Sequence, residues 1–240
     1  MARILTLLLG VLTPLFLQAF TPAGLWQSWP EARFISSPAP CVLQGELQLN
    51  LHTLASRFPG KVHLEEVGKS VLGRPIRLLR IGSGNQKILL WSQMHGDEPS
   101  ATPALLDIAN YLLTHSQQPV VRSILDRFTL LMIPMLNPDG AEVYERRNAQ
   151  GIDINRDARN LATPEGKLLK RVRDEHEPML GFNLHDQNRR TVVGNTGVLA
   201  AMAGLAVSGD AENSVTPGRL RTKRASAAIV ESLAPFIPGG

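Results

Sequence analysis

His95 and Glu98, in the stretch WSQMHGDEPS, are a histidine and a carboxylate three residues apart, types and spacing that let one short turn present two donors to a divalent metal ion. A catalytic zinc takes three protein ligands drawn from His, Glu or Asp and keeps the fourth position for water, so a third donor must come from elsewhere. His185, in MLGFNLHDQN, is the candidate, because it also follows a short apolar run that ends on a polar cluster. The other four histidines fit less well: His52 falls in an amphipathic helix, His63 heads a strand, His115 ends a helix and His176 sits among charges in KLLKRVRDEHEP. They are read as solvent-facing or packed. HxxE alone arises often by chance, and a histidine after an apolar run is more often structural than a ligand, so the surrounding text has to decide.

The elements that must position these residues are legible. QKILLWSQ is apolar without a helix breaker, and PSATPALLDIANYLL has helix-start chemistry followed by apolar residues at helical spacing. The pair therefore sits where a strand ends and a helix opens, the edge of an α/β sheet at which ligands gather. Between the pair and His185, a turn built on Asn137-Pro138-Asp139-Gly140 ends another strand, and GIDINR follows. The whole order is helix, two hairpin strands, strand, helix, a short second helix at VVRSILDRF, strand, loop, helix at PEGKLLKRVRDEHE, strand, long loop and helix. It predicts an α/β/α sandwich around a mixed, mostly parallel central sheet with an antiparallel hairpin.

HGDE, the NPDG turn, GIDINR and NLHD, in that order, resemble the zinc carboxypeptidase family, the carboxypeptidase A-like metallopeptidases, in a bacterial-type form. The lead-in agrees with that family's G-x-S-x-x-G-R-P-like turn at Gly68, Ser70, Gly73, Arg74 and Pro75, and the resemblance runs from about Leu51 onward. It implies one Zn2+ held by His95, Glu98 and His185, with Asp153 accepting a hydrogen bond from the first histidine and so fixing its tautomer. It implies that Asn155 and Arg156 bind the substrate's terminal carboxylate, for which a guanidinium fork offers two parallel hydrogen bonds. Arg146 matches the arginine that polarises the scissile carbonyl, with Arg147 the alternative if the loop shifts by one residue. The substrate so implied is a peptide, or a small acyl-amino acid, with a free carboxylate.

Departures from the family pattern are specific. Animal digestive members carry an arginine between the HxxE ligands where this sequence has Asp97, and Asp157 after the arginine likewise resembles bacterial members. The family's general-base glutamate and its aromatic hydroxyl lie downstream of the third ligand, and neither has a clear counterpart here. Glu231, in SAAIVESLAPF, fits a solvent-facing helix position better than a base, and Glu212 fares no better. The domain is therefore expected to be incomplete at its C-terminus and to show little or no peptidase activity by itself. Two other readings stay open: a zinc amidase or deacylase resembling aspartoacylase and succinylglutamate desuccinylase, and a catalytically silent zinc-binding remnant.

Composition sets the outer limits. With 240 residues and 43% hydrophobic content, one core is expected. A net charge of +4 is mildly basic, and the basic clusters at Lys170–Arg173 and Arg219–Arg224 lack aromatic interleaving, which argues against nucleic acid as a partner. Met1-Ala2-Arg3 followed by a nearly continuous apolar run from Ile4 to Phe20 has signal-peptide grammar. Residues 1–20 are expected to be a signal peptide of a secreted or periplasmic protein, or a membrane anchor if uncleaved. Residues 21–45 are expected to be an irregular leader and 46–240 the domain. A lone Cys41 allows no intramolecular disulfide.

Overall fold

The sheet that carries the candidate residues has strand order β1-β2-β4-β3-β5, comprising β1 (Val62–Lys69), β2 (Pro75–Ile81), β3 (Gln86–Ser92), β4 (Phe128–Ile133) and β5 (Leu180–Leu184). The computed structural model describes residues 22–35, 42–187, 190–198, 200, 204–207 and 210–236. The expected signal peptide or anchor over residues 1–20 and Cys41 lie outside the described residues. Seven α-helices are described: α1 (Pro22–Ala32), α2 (Gln44–Arg57), α3 (Ala101–Thr114), α4 (Pro119–Arg127), α5 (Pro138–Val143), α6 (Pro164–His176) and α7 (Pro217–Leu233). Among the described residues no helix is long and apolar enough to cross a membrane.

The sheet is mixed, as expected for the fold class. Its pairings divide evenly: β1 with β2 and β2 with β4 are antiparallel, whereas β3 with β4 and β3 with β5 are parallel. The parallel half matters for function. Because Ser92 pairs with Leu184 and Trp91 with Ile133, β3, β4 and β5 deliver their C-terminal ends to one edge. Residues that follow these strands emerge side by side there.

Alternation along the strands makes two apolar faces. One face gathers Val67, Ile76, Leu78, Leu89, Leu131 and Ile133 under Leu168 and Val172 of α6. On the other lie α2 and α3: Arg77 Nε donates to Gln48 Oε1 at 2.9 Å, and the Ser92 and Thr102 hydroxyls meet at 3.2 Å. Helix α2 buries Leu47, Leu51 and Leu54, one helical stripe, while His52 stays exposed. Each fully buried leucine contributes roughly 1.5–3 kcal/mol. The α/β/α layering follows from these two covered faces.

Two boundaries differ from the sequence expectation. Residues 22–32 are helical rather than irregular, and the body that holds the site, Trp29–Asp186, starts before residue 46. The reason is tertiary: Asp107 of α3, 8% exposed, accepts hydrogen bonds from Trp29 Nε1 (3.2 Å) and Phe34 N (2.7 Å), and Asn110 Nδ2 donates to Ala32 O (2.8 Å). The described residues among 22–28 and 187–236 group as a second unit. Within it, α7 buries no residue.

Candidate metal centre

Gln93 turns the chain at the end of β3. It adopts φ +44°, a left-handed conformation costing a non-glycine residue about 1–2 kcal/mol. Its side chain offsets that cost, donating from Nε2 to Gly96 O (3.1 Å) and accepting from the Thr102 hydroxyl at Oε1 (2.6 Å). The turn also needs Gly96: a Cβ there would lie 2.0 Å from the backbone carbon of Gly140, in the first turns of α5. Gln93 was invisible to sequence reasoning because nothing in its neighbourhood signals a positive φ.

This turn aims His95 and Glu98 at the strand edge, where His185 arrives one residue beyond β5. His95 Nδ1 lies 2.8 Å from Glu98 Oε1, and His185 Nδ1 lies 2.6 Å from Glu98 Oε2. The two imidazole centroids are 4.7 Å apart. One donor atom from each of the three residues falls within 4.8 Å of the others. His95 is buried, Glu98 half-buried and His185 exposed, so the cluster opens to solvent on one side.

Donor chemistry tests whether a cation fits. Asp153 Oδ1, an acceptor when ionised, lies 3.1 Å from His95 Nε2, so Nε2 carries the proton. Glu98 Oε1 (2.8 Å) and Arg146 Nη1 (3.1 Å) both face His95 Nδ1, the nitrogen turned into the cluster. With Nε2 held by Asp153, Nδ1 is the nitrogen available to a cation between it and Glu98. Donors bound at about 2.1 Å around a tetrahedral zinc are about 3.4 Å apart, a separation inside the 4.8 Å span of this set. His, Glu and His fit a zinc ion with one coordination position left over.

Burial by itself would raise the Glu98 carboxyl, but hydrogen bonds from His185 and then His95 outweigh it and hold the group at about 2. Burial likewise opposes ionisation of Asp153, and the hydrogen bonds from His95 and Arg146 overcome it, lowering its pKa. Both carboxylates are thus ionised at neutral pH.

Arg146, Asp153 and Asn155 join the cluster in one hydrogen-bond network. Arg146 grips Asp153 Oδ2 through Nε (3.1 Å) and Nη2 (3.0 Å). Arg147 points elsewhere, donating to Gly151 O at 2.8 Å, so Arg146 is the arginine that lies at the cluster. Asn155 and Arg156 form a single 3-10 turn (Ile154–Arg156) capped by Asp153, whose Oδ1 accepts from Asn155 N at 2.9 Å. Asn155 Oδ1 also accepts from Asn183 Nδ2 of β5 at 3.4 Å. Arg156 is exposed; its backbone N–H donates to Asp153 O at 2.9 Å and its guanidinium Nη1 to the Asn155 carbonyl at 3.2 Å.

His52 and His63 are exposed, His115 stacks on Tyr111 and His176 ends α6, so none joins the cluster. Glu212 and Glu231 are both exposed.

The lead-in turn has a structural use that its sequence did not disclose. Asp139, 4% exposed, accepts hydrogen bonds from Ser70 Oγ (2.8 Å), Leu72 N (2.9 Å) and Arg74 Nη1 (2.8 Å). The NPDG segment, expected as a turn, extends into α5 because Asn137 Oδ1 caps it by accepting from Gly140 N at 3.0 Å. Gly73 supplies φ +79° at the hairpin turn. Ser70, Arg74 and Asp139 thus fasten the hairpin to the backbone that packs against Gly96.

A family model described as zinc carboxypeptidase matches residues 49–176, which include His95, Glu98, Arg146, Asp153, Asn155 and Arg156 and stop before His185. Carboxypeptidase SOL1 of Arabidopsis thaliana is 34% identical over 123 residues, covering 44% of this chain and 25% of that protein. Carboxypeptidase D of Rattus norvegicus is 31% identical over 137 residues, covering 50% of this chain and 10% of that protein. The crystal structure of a metallo-carboxypeptidase from Burkholderia cenocepacia superposes with a TM-score of 0.56 at 23% identity, covering 61% of this chain and 42% of that one, a likeness of fold. The chain thus spans a quarter or less of the length of these two curated relatives.

Proposed function

The chain belongs to the zinc carboxypeptidase family, and from that membership we propose that it binds one Zn2+ through His95, Glu98 and His185 and acts on the C-terminal peptide bond of peptides. The observation that carries this reading is the convergence of three donor atoms within 4.8 Å from the ends of two parallel strands. Zinc in such a set supplies Lewis acidity and makes water nucleophilic near neutral pH.

The protein's own residues divide the remaining work. Asp153 keeps the His95 proton on Nε2 and leaves Nδ1 free as a donor to metal. Arg146, anchored on Asp153, offers its outer N–H groups to the oxygen that gains charge as a carbonyl is attacked. Asn155 and the exposed fork of Arg156 select a free carboxylate, one hydrogen bond away from Asp153. A peptide and a small acyl-amino acid both carry that group, and the peptidase-like lead-in from Gly68 to Pro75 favours the peptidase reading over the deacylase one. Neither Glu212 nor Glu231 is assigned as general base, so weak turnover by these 240 residues is part of the proposal. The positive and then apolar N-terminus supports export to the periplasm or beyond.

Binding tests this without relying on turnover. The zinc-loaded chain is titrated with an N-blocked dipeptide bearing a free C-terminal carboxylate and with its C-terminal amide. The acid is expected to bind at least about tenfold more tightly, and Arg156→Ala to abolish the difference. Equal affinity for both ligands in the parent protein would overturn the assignment.

A further inference from the structure

The loop that carries Arg146 is organised by a residue outside the metal cluster. Asn148, 5% exposed, accepts hydrogen bonds at Oδ1 from Gln150 N and Ile152 N, both at 3.1 Å, and its backbone N–H donates to Ile152 O at 3.1 Å. These contacts define the turn between Arg146 and Asp153. With Oδ1 committed to two backbone donors, Nδ2 must face the interior, and there it donates to Glu165 Oε2 at 3.0 Å. Glu165, 0% exposed, takes a second hydrogen bond at Oε1 from Val71 N (3.2 Å) in the hairpin turn.

Glu165 lies in the first turn of α6, a helix capped by Thr163, whose own backbone and hydroxyl are held by Asp157. The carboxylate therefore joins three segments distant in sequence: the hairpin turn, the 148–152 loop and the start of α6. No salt bridge to it is formed among the described residues; amide donors and the positive end of the helix hold it. Burial pushes its carboxyl above the ordinary range, hydrogen bonds from its own backbone N–H, Asn148 and Val71 oppose that, and nearby Asp139 adds to the rise. An ionisable group kept at this cost, where an apolar side chain would bury more readily, points to the bonds it makes.

We propose that Glu165 is a positioning residue for Arg146, acting through Asn148 to fix the 148–152 turn and with it the guanidinium that faces His95 and Glu98. Glu165 touches none of the metal-binding side chains. What Arg146 does once positioned rests on the proposed carboxypeptidase activity, but the positioning itself does not.

The polarity of one hydrogen bond provides the test. Glu165→Gln is nearly isosteric, yet with Oε1 kept on Val71 N its amide would meet the amide of Asn148, donor against donor. Asn148→Asp places two carboxylates face to face. Combining the two changes restores every contact with the direction of one bond reversed: the amide introduced at position 165 would then donate to the carboxylate introduced at position 148, which keeps the Gln150 and Ile152 donors. The readout is the Nε–H resonance of Arg146 in the metal-free 240-residue chain, assigned by its disappearance in Arg146→Lys.

Each single variant is expected to speed exchange of that proton by roughly tenfold or to broaden it away, and the double variant to return it to the parent position and rate. Should a single variant fail to fold, the double variant decides, because restored pairing must restore both the fold and the resonance. A double variant no better than the singles, or Glu165→Gln with an unperturbed Arg146 signal, would overturn the proposal. Since no zinc or peptide is involved, an absence of carboxypeptidase activity would count against the functional reading alone.

Discussion

Asp153 Oδ1 lies 3.1 Å from His95 Nε2 on the far side of the ring from Glu98, so the carboxylate outside the cluster sets which nitrogen is available inside it. The same oxygen also accepts from Asn155 N, and Oδ2 holds Arg146. One side chain thus orients a candidate metal ligand, the arginine beside it and the turn bearing Asn155 and Arg156.

Asp153→Ala should accordingly weaken zinc binding by roughly 10- to 100-fold, because His95 loses the partner that fixes its tautomer. Competition against a chromophoric chelator measures it. Unaltered affinity would separate Asp153 from metal binding.

His185→Ala should remove most zinc from the purified protein, whereas His115→Ala and His176→Ala should leave the stoichiometry at one. Two protein donors remain after the first change, fewer than the three a catalytic zinc keeps. Metal analysis after dialysis reads the result, and full occupancy of the His185 variant would refute the ligand set.

Glu98 gives the metal-free protein a defined acid limb. Its folded value of about 2 lies below the ordinary 4.5, so the native state binds fewer protons than the unfolded chain between those values. The stability it contributes is fully present above about pH 4.5 and is lost as pH falls toward about 2. Urea unfolding between about pH 5 and pH 3 should show a steeper loss for the parent protein than for Glu98→Gln, and parallel slopes would contradict the inference.

Gly96→Ala and Gly151→Ala separate close approach from backbone strain. At Gly96 the added carbon would meet the Gly140 backbone at 2.0 Å, and a loss of about 4 kcal/mol or more is expected. Gly151 has φ +72° with nothing within 4 Å of the same carbon, and only about 1–2 kcal/mol should be lost. Equilibrium denaturation ranks them, and equal effects would show that the Gly140 contact can relax.

The sequence determined the element order from residue 44 onward, apart from the short helix Pro138–Val143, and singled out His95, Glu98 and His185, because apolar periodicity and Gly/Pro punctuation are local signals that act over a few residues. It also set these three positions apart from the other four histidines, since the HxxE turn and His185 each follow a strand. Only the tertiary structure decided that the ends of β3 and β5 are neighbours, that Arg146 rather than Arg147 turns toward the cluster, and that residues 22–32 form a helix. It alone placed Asp139, Asn148 and Glu165 as buried struts, with partners up to 94 residues away. A hydrogen bond between such partners depends on packing that brings them within about 3 Å, and no local pattern along the chain encodes that distance.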